Sequence, residues 1–120
     1  MTEIATEKFL VRRLSDAPEE RGVCGFRRTL ITAADTPAVN VSHLRIDNSR
    51  YHHHRQMTEL YYVLSGSGTI TLDEETHPVQ AGDIVLIRPG VWHTSKGEMN
   101  VLITGVPAGE ATDIFFEQTD

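Results

Sequence analysis

The sequence predicts an all-β fold, a sandwich or a barrel, from two observations. Short runs rich in Val, Ile, Thr, Tyr and Phe recur along the 120 residues, and turn-forming residues separate them at short spacing. No long segment carries a helical period, and Ala17 to Gly22 is predicted to form one helical turn at most. Because the connections are short, neighbouring strands are expected to run antiparallel.

The predicted strands follow one another along the chain, each bounded by turn residues. In order they are KFLVRRL, CGFRRTLIT, AVNVSHLRI, ELYYVLS, GTITLD, HPVQ, DIVLIR, VWHTS, NVLITGV and DIFFE. SGSG, from Ser65 to Gly68, is predicted as a turn, and Ile84 to Ile87 as a buried strand. The least regular segment, Val11 to Gly22, is expected to form a rim loop or an exchanged N-terminal arm.

Composition limits the classes of protein that fit. The chain is 39% hydrophobic, which is enough for a core, but no apolar run reaches the roughly 18 residues of a membrane span. The N-terminus, MTEIATEKFLVRR, lacks the pattern of a secretory signal, so a cytoplasmic location is expected. A net charge of −6 disfavours nucleic-acid binding. Cys24 is the only cysteine, which excludes an internal disulfide and indicates a small buried apolar residue.

Three consecutive histidines, His52 to His54, raise the question of a metal site. An affinity tag is not expected inside the chain. Side chains alternate along a strand, so His52 and His54 share one face and His53 points the other way. Glu59 would face away from them on an unbroken strand, but a turn or bulge within RQMT would return it to their side. Beyond that point Tyr61 shares the face of Glu59.

A further histidine, His93, follows a predicted turn at Arg88, Pro89 and Gly90. Proline and glycine fix the local backbone, so this side chain can be held rigidly. Three imidazole nitrogens and one carboxylate oxygen suit a divalent metal of borderline softness. Such a site leaves one or two coordination positions for water or substrate.

These residues, in this order, resemble the cupin superfamily, specifically its small single-domain members. The first cupin motif, His-x-His, three or four residues, Glu, six residues, Gly, is matched by His52, His54, Glu59 and Gly66, with four residues between His54 and Glu59. The second motif, Gly, five residues, Pro-x-Gly, two residues, His, is matched by Gly82, Gly90 and His93. The departures are Ile46 for a common glycine, Arg88 for the usual proline and Gly97 for an occasional asparagine.

The resemblance implies a double-stranded β-helix, the cupin or jelly-roll barrel, as one domain over residues 1–120. Its barrel core is expected over about 39–106, with N-terminal strands or an arm over 1–38. The implied cofactor is one divalent ion of Fe, Mn, Ni, Zn or Cu, bound by His52, His54, Glu59 and His93. A homodimer is also implied, with N-terminal strands that extend the partner's sheet.

Other residues are candidates for roles around the metal. Tyr61 is the candidate proton shuttle, with packing in the core as the alternative. Gln56 and Met57 are candidates to line a substrate pocket at the barrel mouth. Arg45 is a candidate for an inward arginine that binds a carboxylate or phosphate, with an outward surface position as the alternative.

Two functions fit these features. The first is a metalloenzyme that acts on a small oxygen-rich molecule, such as a sugar acid, keto acid or phenol, by isomerase, lyase or dioxygenase chemistry. The second is a binding or sensor module that holds a small ligand on the metal without turnover. A storage or structural role needs no intact metal site and so explains less.

Overall fold

A computed structural model describes residues 8–117 and confirms the all-β prediction. One 3-10 turn, Leu14–Asp16, is the only helical element of this range. The strands are β1 Glu19–Arg21, β2 Gly25–Ile31, β3 Asn40–Ile46, β4 His52–His53, β5 Thr58–Leu72, β6 Glu75–Gln80, β7 Ile84–Ile87, β8 His93–Lys96, β9 Met99–Val106 and β10 Phe115–Phe116. No helix among the described residues is long and apolar enough to cross a membrane.

Strand β5 belongs to two sheets, and this is what closes the fold. Its first part pairs with β9 and β7, in a sheet that continues through β3, β2 and β1. Its second part pairs with β6 and β8, in a sheet that continues through β4 and β10. All of these pairs are antiparallel, as the short connections predicted. The two sheets enclose the core, which is the jelly-roll barrel expected of a double-stranded β-helix.

The core lies between the inward faces of the two sheets. Along β5 burial alternates as a half-buried strand requires: Tyr61 and Val63 are buried, whereas Tyr62 and Leu64 are exposed. The buried cluster comprises Leu44, Ile46, Tyr61, Val63, Ile70, Val79, Ile87, Met99 and Val101. The face assigned from the sequence to Tyr61 is therefore confirmed.

The turn predicted at Ser65 to Gly68 is wrong, because β5 runs through it without a break. The pairing of β5 with β9 shifts register between Val63 and Ser65. Gly66 has a φ of +81°, and a Cβ on it would lie 2.1 Å from the carbonyl oxygen of Glu98. Glycine is needed at position 66 for the positive φ and a close approach of backbones, not for a turn.

The prediction of a buried strand at Ile84 to Ile87 is also wrong in part. Ile84 is 63% exposed and Leu86 47% exposed, whereas Ile87 is 2% exposed. Strand β7 pairs with β5, and one of its faces looks away from the core. An apolar run alone does not distinguish a strand buried on both faces from one buried on a single face.

The N-terminal strand KFLVRRL is not formed: no strand covers residues 8–13, and Phe9 and Val11 are about four-fifths exposed. The segment Ala17 to Gly22, for which one helical turn at most was predicted, contains no helix; its residues Glu19–Arg21 form β1, paired with β2. Residues 1–7 of the predicted arm lie outside the described residues.

Candidate metal centre

Four side chains meet between the two sheets: His52, His54, Glu59 and His93. One nitrogen or oxygen atom from each lies within 4.8 Å of the others, so the group could hold a metal ion. His52 and His93 are 2% and 1% exposed, and Glu59 is 7% exposed. The side chain of His54 is the most accessible, at 11%. We call these four residues the His–Glu cluster.

The strand pairing explains how residues far apart in sequence meet. His52 in β4 lies directly opposite His93 in β8, and their ring centroids are 4.3 Å apart. Glu59 enters from β5, beside Ile87 of β7. The chain bends at Arg55 and Gln56, within the segment where a turn was required, and Glu59 thereby faces the histidines.

Each of the three imidazoles is oriented by a backbone carbonyl oxygen. The Nδ1 atoms of His52, His54 and His93 lie 2.7, 2.5 and 2.9 Å from the oxygens of Arg50, Asp113 and Val91. A carbonyl oxygen only accepts hydrogen bonds, so in the neutral imidazoles Nδ1 carries the proton. The lone pair of each Nε2 is then free for the cluster, as in histidines that bind metals.

The atoms that face one another in the cluster lack donors. Glu59 Oε1 lies 3.0 Å from His93 Nε2 and 3.3 Å from His54 Nε2. All three atoms are buried without a hydrogen-bond partner if the imidazoles are neutral. Acceptors at these distances repel one another unless a cation, either a proton or a metal ion, lies between them. The donor set and its missing partner therefore fit a metal ion.

The pKa shifts of Glu59 and His52 favour the protonation states that a metal requires, whereas that of His54 favours its protonated form. Burial raises the pKa of Glu59, but His54 and His93, when protonated, donate to its carboxylate and carry positive charge, which outweighs burial and holds that pKa well below its ordinary value. Burial and the neighbouring His93 lower the pKa of His52 to about 4. Burial lowers the pKa of His54, but the hydrogen bond and charge of Glu59 overcome this and raise it. At neutral pH the cluster thus offers one carboxylate and at least one neutral imidazole.

The other candidate residues lie at different distances from the cluster. Tyr61 is 3% exposed and its ring meets the His93 ring edge-on, with centroids 6.0 Å apart. Burial raises the pKa of Tyr61 well above its ordinary value, so it stays a protonated phenol. Met57 is buried, and its side chain packs beside Gly105. Gln56 is exposed on the bend.

Arg45 is not brought to the cluster. Its neighbours Leu44 and Ile46 are buried in the core, so by alternation Arg45 points to the outer face of β3. Its guanidinium lies 4.6 Å from the centroid of the Phe26 ring, a cation–π contact at the surface. The outward position that was the alternative for this arginine is the one observed.

His53 lies outside the cluster, as the alternation predicted. Its ring stacks on Phe115 at 5.3 Å and meets Trp92 at 4.4 Å between centroids. Cys24, by contrast, was expected only to fill space, yet its sulfur lies 4.0 Å from His52 Nε2. Burial raises the pKa of the Cys24 thiol, so it faces the cluster in neutral form. No spacing in the sequence links Cys24 to the histidines, which are brought close to it by the packing of two sheets.

The departure at Arg88 leaves the second motif's turn intact. Arg88 is exposed, and Gly90, with a φ of +88°, donates its N–H to the carbonyl oxygen of His54 at 2.6 Å. The turn before His93 is therefore hydrogen-bonded directly to the backbone of His54. A charged side chain is accommodated there because it projects into solvent.

The two sheets thus enclose three histidines and a glutamate that could hold a metal ion. The family model for the cupin domain matches residues 47–101, the segment that carries all four cluster residues. This match, together with the fold, supports a small cupin domain, although the family model covers a little less than half of the chain. An uncharacterized protein of Methanocaldococcus jannaschii is 40% identical over 50 residues, which cover 42% of this chain and 40% of that protein's length.

Solved structures share the fold over most of the chain. A protein from Planctomyces limnophilus superposes with a TM-score of 0.84 at 25% identity, over 89% of this chain and 96% of its own. The nucleoside dehydratase Pac13 gives 0.81 at 17% identity, over 92% of both chains, and a Streptomyces variant of it was solved with uridine. Ectoine synthase from P. lautus gives 0.74 at 14% identity, over 93% and 92%. At such identities the last two likenesses concern the fold alone.

Proposed function

We propose that this cupin is a metal-dependent enzyme that acts on a small oxygen-rich molecule such as a sugar acid, keto acid or phenol. One divalent ion of Fe, Mn, Ni, Zn or Cu would be held by His52, His54, Glu59 and His93. The observation that carries the proposal is the convergence of buried acceptor atoms with no donor between them. Affinity order and cellular supply, rather than these ligands, decide which metal is bound.

When bound, the metal would act as a Lewis acid towards substrate oxygens. The protein's own contribution is to fix three imidazoles through their Nδ1 atoms and to supply one negative charge from Glu59. Tyr61, protonated and edge-on to His93, is the proposed proton donor for the substrate. Met57 is buried and lies two residues before Glu59, and Gln56 is exposed on the bend. Both residues remain candidates for contacts with substrate.

The reaction is proposed to be of isomerase, lyase or dioxygenase type. A nucleoside dehydratase and an ectoine synthase use the same fold, which supports catalysis as its use here. Uridine bound to the former is a small oxygen-rich ligand of the proposed kind. Identities of 17% and 14% do not carry substrate or reaction from them to this chain.

A binding or sensor module without turnover is the second candidate, and one observation favours it. The cluster is almost enclosed, and its most accessible side chain is only 11% exposed. A metal held there would offer little room to a large substrate. A small ligand that enters beside His54 fits both candidates.

Metal loading followed by a substrate screen separates the two functions. The protein is offered iron, manganese, nickel, copper and zinc in turn, and each loaded form is then mixed with sugar acids, keto acids and catechols while oxygen uptake is followed. Stoichiometric metal with turnover supports the enzyme. Stoichiometric metal and ligand binding without turnover supports the sensor. Protein that retains none of the metals contradicts both.

We also propose that the chain forms a homodimer. Strands β5 and β7 place four large apolar side chains on one outer surface, the outer apolar face: Tyr62, Leu64, Ile84 and Leu86, 42% to 63% exposed. Phe9 and Val11 near the N-terminus are exposed too, and each is apolar surface that a second copy could cover. A cytoplasmic location likewise stays a prediction from the sequence.

A further inference from the structure

Asp113, far from the cluster in sequence, holds the bend between two of its members. Its carboxylate accepts three backbone N–H groups: Arg55 donates to Oδ1 at 2.8 Å, and Gln56 and Met57 donate to Oδ2 at 3.2 Å each. Asp113 is itself only 8% exposed. These donors lie between His54 and Glu59, on the segment that returns Glu59 to the side of the histidines.

The backbone of Asp113 acts on the cluster more directly. Its carbonyl oxygen lies 2.5 Å from His54 Nδ1, so the proton stays on Nδ1 and Nε2 points at Glu59. The two other imidazoles use carbonyls only two residues away along the chain, those of Arg50 and Val91. His54 alone depends on a carbonyl 59 residues away.

The C-terminal segment is anchored on the strand that carries the histidines. Strand β10 pairs with β4, with Phe115 opposite His53 and Phe116 opposite His52. Arg55 and Arg50 place their guanidinium groups 3.8 and 3.7 Å from the centroids of the Phe115 and Phe116 rings. These contacts fix the position of Asp113 relative to His54 and the bend.

We propose that Asp113 is a positioning residue of the cupin's metal site. Its carbonyl selects the tautomer of His54, and its carboxylate holds the bend that places His54 and Glu59 on one side. The proposal rests on the proposed metal binding and adds to it a residue outside both cupin motifs. Loss of such outer partners of a ligand typically lowers metal affinity by roughly 10–100-fold.

The test compares Asp113→Ala and Asp113→Asn with a matched control, Asp83→Ala. Asp83 also accepts a backbone N–H, that of Gln80 at 2.8 Å, but in the turn between β6 and β7. Alanine at 113 leaves three backbone N–H groups, of which that of Met57 is buried, without their acceptor, whereas asparagine keeps one acceptor oxygen of two. Zinc affinity is measured by competition with a chelator, and folding by chemical denaturation of the metal-free proteins.

The second measurement is the tautomer of His54 in metal-free protein, from ¹⁵N shifts of labelled histidines assigned with His54→Ala. We expect wild type to carry the proton on Nδ1. Asp113→Ala keeps the backbone carbonyl but loses the carboxylate hydrogen bonds that hold residue 113 against the bend, so we expect this carbonyl to move away from His54 Nδ1 and the Nε2–H form to appear. We expect zinc affinity to fall by roughly 10–100-fold in Asp113→Ala, less in Asp113→Asn, and not in Asp83→Ala. A loss of stability alone would not change the tautomer of protein that remains folded.

Three outcomes overturn the proposal: an Nε2–H tautomer of His54 in wild type, an unchanged tautomer in Asp113→Ala, or wild-type zinc affinity in folded Asp113 variants. If wild type binds no zinc, iron or manganese, the proposed function fails, and the tautomer alone decides the role of Asp113. If neither variant folds, the wild-type tautomer decides it.

Discussion

At the scale of single residues, the chemistry of the cluster depends on which imidazole nitrogen is free. The Nδ1 atoms of His52, His54 and His93 each contact a carbonyl oxygen. Nε2 of His54 and of His93 is then buried without a hydrogen-bond partner, and Nε2 of His52 faces the thiol of Cys24. Residue type alone does not create this property, since His53, between two of them, faces aromatic rings instead. The backbone carbonyls therefore orient all three histidines in the same way, with the proton on Nδ1 and the lone pair of Nε2 available to a metal.

Replacing each of two adjacent histidines tests this directly. His54→Ala removes an Nε2 that faces Glu59, and we expect metal content after dialysis to fall sharply. His53→Ala removes only contacts with Phe115 and Trp92, so metal content should stay near wild type while stability falls by about 1 kcal/mol. Metal content is measured by plasma emission spectrometry. A larger loss in His53→Ala than in His54→Ala would contradict the assignment of faces.

Acid should release the metal, beginning at a higher pH than ordinary histidines would. Protons and metal compete for the same Nε2 lone pairs, so metal affinity falls as pH falls. Since Glu59 raises the pKa of His54, competition at that residue starts above the ordinary histidine range. His52, with its pKa lowered to about 4, competes only in acid. Zinc affinity measured by chelator competition between about pH 5 and pH 8 checks this; a flat profile would contradict it.

The four cluster residues could be predicted because the chain resembles the two cupin motifs, and local spacing accounts for only part of their placement. His52 and His54 follow strand alternation, and His93 follows a Pro-Gly turn. Cys24 and Asp113 could not, because they reach the cluster only through pairing and packing with distant strands. A lone cysteine or aspartate carries no local pattern that indicates such a contact.

At the scale of elements, β5 determines the geometry of the site. It is 15 residues long, places Glu59 and Tyr61 in the first sheet and continues into the second. The strand changes partners near Gly66, whose positive φ and closeness to Glu98 permit the change. The sequence predicted two strands and a turn because Ser-Gly repeats usually mark turns. The continuous strand depends on backbone contacts with β9, which no local pattern reveals.

Gly66 and Gly82 offer a matched pair of substitutions. Gly66→Ala adds a clash with the Glu98 carbonyl to the strain of a positive φ, and we expect a loss of on the order of 3 kcal/mol in the free energy of unfolding. Gly82 has a φ of +94° but open space around it, so Gly82→Ala should cost only about 1 kcal/mol. Urea denaturation measures both. Equal losses would show that contact with Glu98 contributes nothing.

At the scale of the whole molecule, the inward faces of the two sheets are buried, whereas one apolar outer face is exposed. The inward faces of both sheets form the core and the cluster, whereas the outer apolar face on β5 and β7 remains exposed. Alternation predicted that Tyr61 shares the face of Glu59 on β5, and this face is the inward one. It could not predict the outer apolar face, because both sides of Ile84 to Ile87 are apolar in sequence.

If a second copy covers the outer apolar face, a charge placed in its middle should separate the two chains. Leu86 is 47% exposed, and its replacement by Lys would bury an unpaired ammonium group in the contact. We expect wild type to sediment at twice the 13.4 kDa of one chain, and Leu86→Lys to sediment as a single chain. Gln80→Lys adds the same charge on exposed β6 of the other sheet and should remain dimeric. Circular dichroism confirms that both variants are folded. A wild type that stays monomeric at high concentration, or a dimeric Leu86→Lys, would show that this face is not the interface.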